Sequence, residues 1–322
     1  MPGGGRRAVL RGLLAGGLAL PARAQPGWPE RPLRFIVPFA PGGASDATAR
    51  VTAQHVAARL GRPVVVENRA GAASTLGTAE AARSNDGHTF LLTPPPFVIT
   101  QFAYPNLPYD PVRDLVPVVL LVTSPILLYA RAGFVTRFEE VIAFARANPG
   151  RLTYGTPGNG SLPHVAFELL KLRSGLEALH VPYRGGGPAA VDLAAGQIDL
   201  MLTTPVEVAG GVQAGRIVPV AVAAAQRLPA APGLPTLGEA GVRDYEVAAW
   251  FGVTAPASMP RQAVLRLNAE FNAVLALPDV RARLAEAGVN AAGGTPDAFG
   301  EFLGAERARW SEAVRAAGVR VE

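Results

Sequence analysis

The 322-residue sequence predicts an α/β protein of two lobes with a ligand cleft between them. Three observations carry that expectation. Short β-branched runs alternate with helical segments twice over, the pattern of parallel sheets. The turns after several of these strands are glycine and small polar residues, at the strand ends where such sheets bind ligands. An apolar fraction of 49% with a charged fraction of 17% suits a packed core and not a disordered chain.

The first 24 residues read as a signal peptide. Arg6-Arg7 precede an apolar stretch, Leu13 to Leu20, and Ala22-Arg23-Ala24 is an A-x-A cleavage site. The run from Arg6 to Arg11 also resembles a twin-arginine export signal. Its apolar stretch is too short for a membrane span. The mature chain is expected to start near Gln25. Cleavage removes four arginines and no acids, so the formal charge falls from +5 to about +1. The high isoelectric point thus belongs partly to the leader. No basic cluster is interleaved with aromatics, so nucleic acid is not an expected partner. Zero cysteines exclude disulfides, thiolate chemistry and Cys-type zinc sites.

The first lobe opens with Leu33 to Val37, an apolar strand stopped by Pro38. Pro41-Gly42-Gly43 then feeds a helix that Ser45 or Asp46 could cap. Such a turn gathers backbone N–H groups, and the helix dipole makes the space attractive to an anion. Pro63 to Glu67 is a second strand, followed by the turn Asn68 to Ala73 and a helix from Thr75 to Arg83. His88 to Thr93 is a third strand, ending at Thr93-Pro94. Leu107 to Pro111 is an irregular connection. Val116 to Val122 and Ile126 to Ala130 form a long extended run suited to crossing between lobes.

A second α/β series follows. Leu152 to Tyr154 leads into the turn Gly155 to Ser161 and a helix from Leu162 to Leu172. Leu179 to Tyr183, a helix ending at Gly196, and Ile198 to Leu202 closed by Thr203-Thr204-Pro205 complete it. Ile217 to Ala223 and Val247 to Val253 are further strands, and the chain from Arg261 is helical. The expected division is residues 25–121 for the first lobe, 122–222 for the second and 223–322 for a return to the first with C-terminal helices.

Individual residues leave alternatives open. Asp46 is either a helix cap or a contact for an ammonium group or water. Ser45, on a strand–turn–helix, nearly matches a G-x-S-x-G nucleophile elbow with alanine in the last place. A secreted serine hydrolase is the alternative this raises, but such an enzyme wants a late histidine and the last is His180. The four histidines are too far apart for a metal motif, and no cofactor is expected. Asp199 is a pocket acid or a partner for Arg184. Arg50 reads as a salt-bridge residue, and Trp250 and Phe251 as core or hinge packing.

Seven segments in order resemble the substrate-binding receptors of tripartite tricarboxylate transporters, the Bug family. They are Val37 to Asp46 with Ala49-Arg50, Val66 to Ala72, Leu107 to Pro111, Tyr154 to Ser161 with His164, His180 to Gly185, Gly196 to Asp199, and Pro235 to Gly241. The resemblance implies a type II periplasmic binding protein fold that closes on a small carboxylate, such as a dicarboxylate or an aromatic acid. It implies no catalysis, a periplasmic location, a monomer, and a membrane transporter or a sensor as partner. The ligand-binding residues it implies are Phe39, Gly42, Gly43, Ala44, Ser45 and Asp46, facing Gly158, Asn159, Gly160, Ser161 and His164. Asn68, Gly71, Ala72, Thr93, Thr203, Thr204 and Pro205 are expected nearby. Two departures from the family pattern stand out: Ala72-Ala73-Ser74 in place of a glycine pair, and Pro94-Pro95-Pro96 in place of a polar residue with glycine.

Overall fold

The computed structural model describes residues 27–104 and 106–317. The expected signal peptide lies outside them. Two sheets form the framework. The first contains β1 (Leu33–Val37), β2 (Val64–Asn68), β3 (Thr89–Thr93), β4 (Leu115–Pro125), β10 (Ala248–Pro256) and β11 (Asn290–Ala291), in the order β11-β4-β10-β3-β1-β2. The second contains β5 (Leu127–Arg131), β6 (Thr153–Thr156), β7 (Leu179–Pro182), β8 (Leu200–Thr203) and β9 (Ile217–Val222), in the order β7-β6-β8-β5-β9. Each sheet is built alike. Three strands run parallel, β2-β1-β3 and β7-β6-β8, and an antiparallel strand, β10 or β5, joins them. This is a two-lobed α/β fold with both parallel sets ending toward the same space.

The chain crosses from the first sheet to the second at Ile126, between β4 and β5, and returns between β9 and β10. Ala223 ties the crossings together. Its N–H donates to the Ile126 carbonyl (2.9 Å), and its carbonyl accepts from the Val247 N–H (2.8 Å).

The helices are α1 (Ala44–Leu60), α2 (Thr75–Ala82), α3 (Pro96–Ala103), α4 (Phe138–Ala147), α5 (Leu162–Ser174), α6 (Gly186–Ala195), α7 (Pro205–Gln213), α8 (Arg261–Leu275), α9 (Pro278–Glu286) and α10 (Pro296–Ala317). Two of them, α3 and α7, stand where the sequence reading has only turns. Each begins with proline at its first or second position, which a helix start tolerates because that N–H has no intrahelical partner. Six of eight residues in α3 are buried, which erases the amphipathic period.

Phe35, Phe90 and Phe271 pack at centroid separations of 4.5 to 6.0 Å inside the first lobe. α10 packs on α3 of the first lobe and α5 of the second. The buried Glu306 carboxylate of α10 accepts the indole N–H of Trp250 (2.9 Å) and of Trp310 (3.0 Å) and pairs with Arg309 (2.8 Å). Buried charge is tolerated when paired and hydrogen-bonded in this way. The result is a firm spine behind the space where the strand ends converge.

Candidate functional site

The turn from β1 to α1 is held by charge. Gly42 has φ +95°, a conformation that favours glycine, and Gly43 is the N-cap with φ −87° and makes no side-chain cap bond. The expected cap by Ser45 or Asp46 gives way to a different arrangement. Both lie within the first turn, and the Asp46 carboxylate bends back to accept the Gly42 N–H (3.1 Å), Arg50 Nε (2.9 Å) and Asn68 Nδ2 (3.0 Å). Asn68 also donates to the Phe39 carbonyl (3.0 Å) and accepts from Arg50 (3.0 Å). Burial alone would raise the Asp46 pKa; the bonds from Arg50, Asn68 and Gly42 outweigh it and hold the carboxyl below its ordinary value. Ala47 is the first residue whose N–H bonds back into the helix, to Gly43 (3.0 Å), so the N–H groups of Ala44, Ser45 and Asp46 have no intrahelical acceptor.

The facing turn, from β6 to α5, is held by neutral groups. Gly158 (φ +137°) and Gly160 (φ +72°) shape it. Ser161 caps α5: its hydroxyl donates to the Gly158 carbonyl (2.7 Å) and accepts the His164 N–H (3.4 Å). The Gly160 N–H donates to His164 Nδ1 (3.1 Å), so that nitrogen is unprotonated. The His164 ring stacks on His180 at 4.0 Å, and His180 lies 5.0 Å from Tyr154. Burial lowers both imidazoles, His180 to about 4, so both are neutral near pH 7.

Between these turns lies a cavity of about 220 Å³. Phe39 and Ala44 line it from the first turn, Ser161 and Leu162 from the second, and Thr203 and Thr204 from the end of β8. Of the residues expected in the site, Phe39, Ala44, Ser161, Thr203 and Thr204 therefore face the cavity. The others brace it or lie apart. Gly42, Gly43, Ser45 and Asp46 belong to the same turn as Ala44 but do not line the cavity, and Asn68 ties that turn together. Gly158, Asn159, Gly160 and His164 likewise flank Ser161 without lining it. Thr93 is fully buried, its hydroxyl bonded to that of Thr254 (2.8 Å). Gly71 and Ala72 form the turn before α2, and Pro205 opens α7.

Several lining residues were not anticipated. Trp250 and Phe251, read as packing, form part of the wall, and Trp250 serves both purposes. Pro95 and Pro96 line it at the start of α3, where the Pro94-Pro95-Pro96 run supplies no N–H groups and the Phe97 N–H is spent on the Pro94 carbonyl (3.0 Å). Glu207, in the first turn of α7, is the one ionisable side chain of the lining among the described residues. Its carboxyl accepts the Thr203 hydroxyl, and partial enclosure by the walls raises its pKa against that bond. No signal in the sequence placed it, because α7 itself was unread.

The other candidate chemistries have their groups engaged elsewhere. Asp199 binds Arg131 (2.9 Å) and Thr153 (3.0 Å), not Arg184. Ser45 is buried, and the histidines are bonded away from it: His55 to Val51 and Asp279, His88 to Asp86, His164 to Gly160, and His180 to Thr156. The cleft thus offers backbone N–H groups at two helix starts, hydroxyls, and apolar and aromatic walls. That set suits binding of a small anion with an apolar body.

Comparison with known proteins gives the same picture. Residues 48–319 match the family described as the tripartite tricarboxylate transporter family receptor. The UPF0065 protein of the tcbD-tcbE intergenic region of Pseudomonas sp. strain P51 is 40% identical over 317 residues, 96% of this chain and 94% of the relative. The R. palustris protein Rpa4515, solved with adipate, superposes with a TM-score of 0.82 at 35% identity, covering 91% of this chain and 99% of that one. The periplasmic binding protein BugD superposes with a TM-score of 0.79 at 32% identity, covering 92% of this chain and all of that one. With two matched sheets, two facing helix starts and sequence likeness along nearly the whole chain, this protein belongs to the tripartite tricarboxylate transporter receptor family, the Bug solute-binding proteins.

Proposed function

We propose that this chain is an exported, non-catalytic receptor that captures a small organic carboxylate between its lobes and presents it to a membrane transporter. The observation that carries the reading is the pair of helix starts, α1 and α5, across a cavity whose lining has no basic side chain. An anion there is met by the N–H groups of Ala44, Ser45, Asp46 and Leu162, while the Ser161 hydroxyl, its proton given to Gly158, shapes the second turn. The adipate carried by a relative at 35% identity supports the ligand class. BugD, a periplasmic binding protein, supports a periplasmic location, as does the leader-like N-terminus.

In this reading the lobes are the two sheets with their helices, joined at Ile126 and Ala223, and the protein acts as a monomer. Ligand draws the lobes together about those crossings, and the closed form is what the membrane partner recognises. Native mass spectrometry of the freshly purified protein, followed by thermal shifts with a panel of small carboxylates, tests it. A saturating ligand at a hundredfold excess over Kd stabilises by about 2.7 kcal/mol. Gly42→Val, which forces a β-branched residue to φ +95°, should abolish the shift. Absence of any carboxylate-induced shift would contradict the proposal.

A further inference from the structure

The cavity that faces the two helix starts has a second polar pole of opposite character. Among the described residues its lining includes no arginine, lysine or histidine, and one acid, Glu207. The first turn of α7 carries that acid, and two neighbours touch its carboxyl. The Thr203 hydroxyl, from the last residue of β8, donates to it. Gly186 at the start of α6 lies against the carboxyl so closely that any side chain there would collide with it. The preceding residue, Val206, lies against Gly288, whose carbonyl accepts from Ser124 (2.7 Å). The acid thus lies at the cavity wall with its carboxyl held by Thr203, although the residue as a whole is open to solvent.

Where the pH is high enough to ionise it, an acid in an apolar cleft whose lining, among the described residues, has no cation carries a clear electrostatic consequence. A ligand with one carboxylate at the α1 and α5 starts gains from their dipoles. A second carboxylate brought toward Glu207 meets like charge in a partly desolvated space, which disfavours it strongly. A group that donates hydrogen bonds, above all an ammonium, meets a ready acceptor. We infer that Glu207 is a specificity-determining residue that turns this receptor away from diacids and toward monocarboxylates bearing a cationic or hydrogen-bond-donating group at the far end. The inference rests on the carboxylate-receptor reading above, and it sets this chain apart from the relative solved with the diacid adipate.

Three six-carbon acids test it: 6-aminohexanoate, hexanoate and adipate, titrated calorimetrically at pH 8 into the full mature protein and its Glu207→Gln variant. The wild type should bind 6-aminohexanoate at least about tenfold more tightly than adipate, with hexanoate between them. Glu207→Gln should shrink that gap at least about tenfold while leaving hexanoate within about threefold of the wild type. Glu207→Ala should give the same order as Glu207→Gln, which separates the charge effect from a new amide contact. Equal or tighter binding of adipate by the wild type, or a gap that Glu207→Gln leaves intact, overturns the inference and leaves the receptor reading standing. Failure of all three acids and of the wider carboxylate panel to bind overturns the receptor reading, and this inference with it.

Discussion

The two turns that face each other across the cleft do the same work with different chemistry. The β1–α1 turn is braced by an ion pair and an amide: Asp46 gathers Gly42, Arg50 and Asn68. The β6–α5 turn is braced by uncharged rings, His164 on His180 beside Tyr154, with a serine cap. In both, most of the residues that shape the turn are not those that line the cavity. The difference teaches where each half is vulnerable. The first depends on a carboxylate staying ionised, the second on two imidazoles staying neutral.

The largest expected effect comes from removing the charged brace. Asp46→Ala strips three hydrogen bonds from one buried carboxylate and should cost about 2–3 kcal/mol of stability, seen in denaturant unfolding, with at least about tenfold weaker ligand binding. Arg50 remains half exposed and hydrated, which limits the loss. On the neutral side, His164→Ala removes the acceptor of the Gly160 N–H and the stack on His180. It should cost about 1–2 kcal/mol and weaken binding without changing the Asp46 cluster.

Acid should separate the two turns without mutation. His180, lowered to about 4, and His164, also lowered, bind protons more readily unfolded than folded. Stability therefore holds above about pH 6.5 and declines as the pH falls from there toward 4. The Asp46 pKa is also lowered, but there the fold favours the charged form, so its contribution stays intact above the ordinary carboxylate range and is lost only as the pH falls into that range and below it. A fall in Tm of about 3–6 °C between pH 7 and 4.5 that His180→Asn reduces would assign it to the second turn. A fall unchanged in that variant would not.

The smallest effect lies at the third turn, before α2. Ala72, Ala73 and Ser74 all have positive φ, at 46°, 48° and 75°. These are the positions where the chain departs from the family's glycine pair, and the left-handed backbone explains why glycine suits them. Ala73→Gly should raise stability by about 0.5–1 kcal/mol in denaturant unfolding, since relief of the strain exceeds the entropy of the added glycine. A destabilised variant would show that the turn holds its alanines without strain.

Legibility in the sequence followed the same division. The strand–glycine–helix signals at Gly42-Gly43 and Gly158 to Ser161 place both turns because tight turns demand particular residues. The wall that completes the cavity has no such demand. Glu207 sits in a helix with two glycines and a single buried residue, Val208, so no helical period betrays it. Trp250 and Phe251 are readable as a buried strand, but which partner each ring faces depends on pairing with β3 and β4, from more than a hundred residues earlier. Gly288 and Val289 reach the cleft only through the antiparallel contact of β11 with β4. Those long-range registers complete the cavity wall, and no local pattern encodes them.

The central claim is that a carboxylate is held between α1 and α5 by backbone N–H groups without a basic side chain. The direct test is a crystal structure with the acid that gives the largest thermal shift. Its carboxylate oxygens should lie within about 3 Å of the N–H groups of Ala44 to Asp46 or of Leu162. A carboxylate paired with an arginine, or bound outside the cleft, would contradict it.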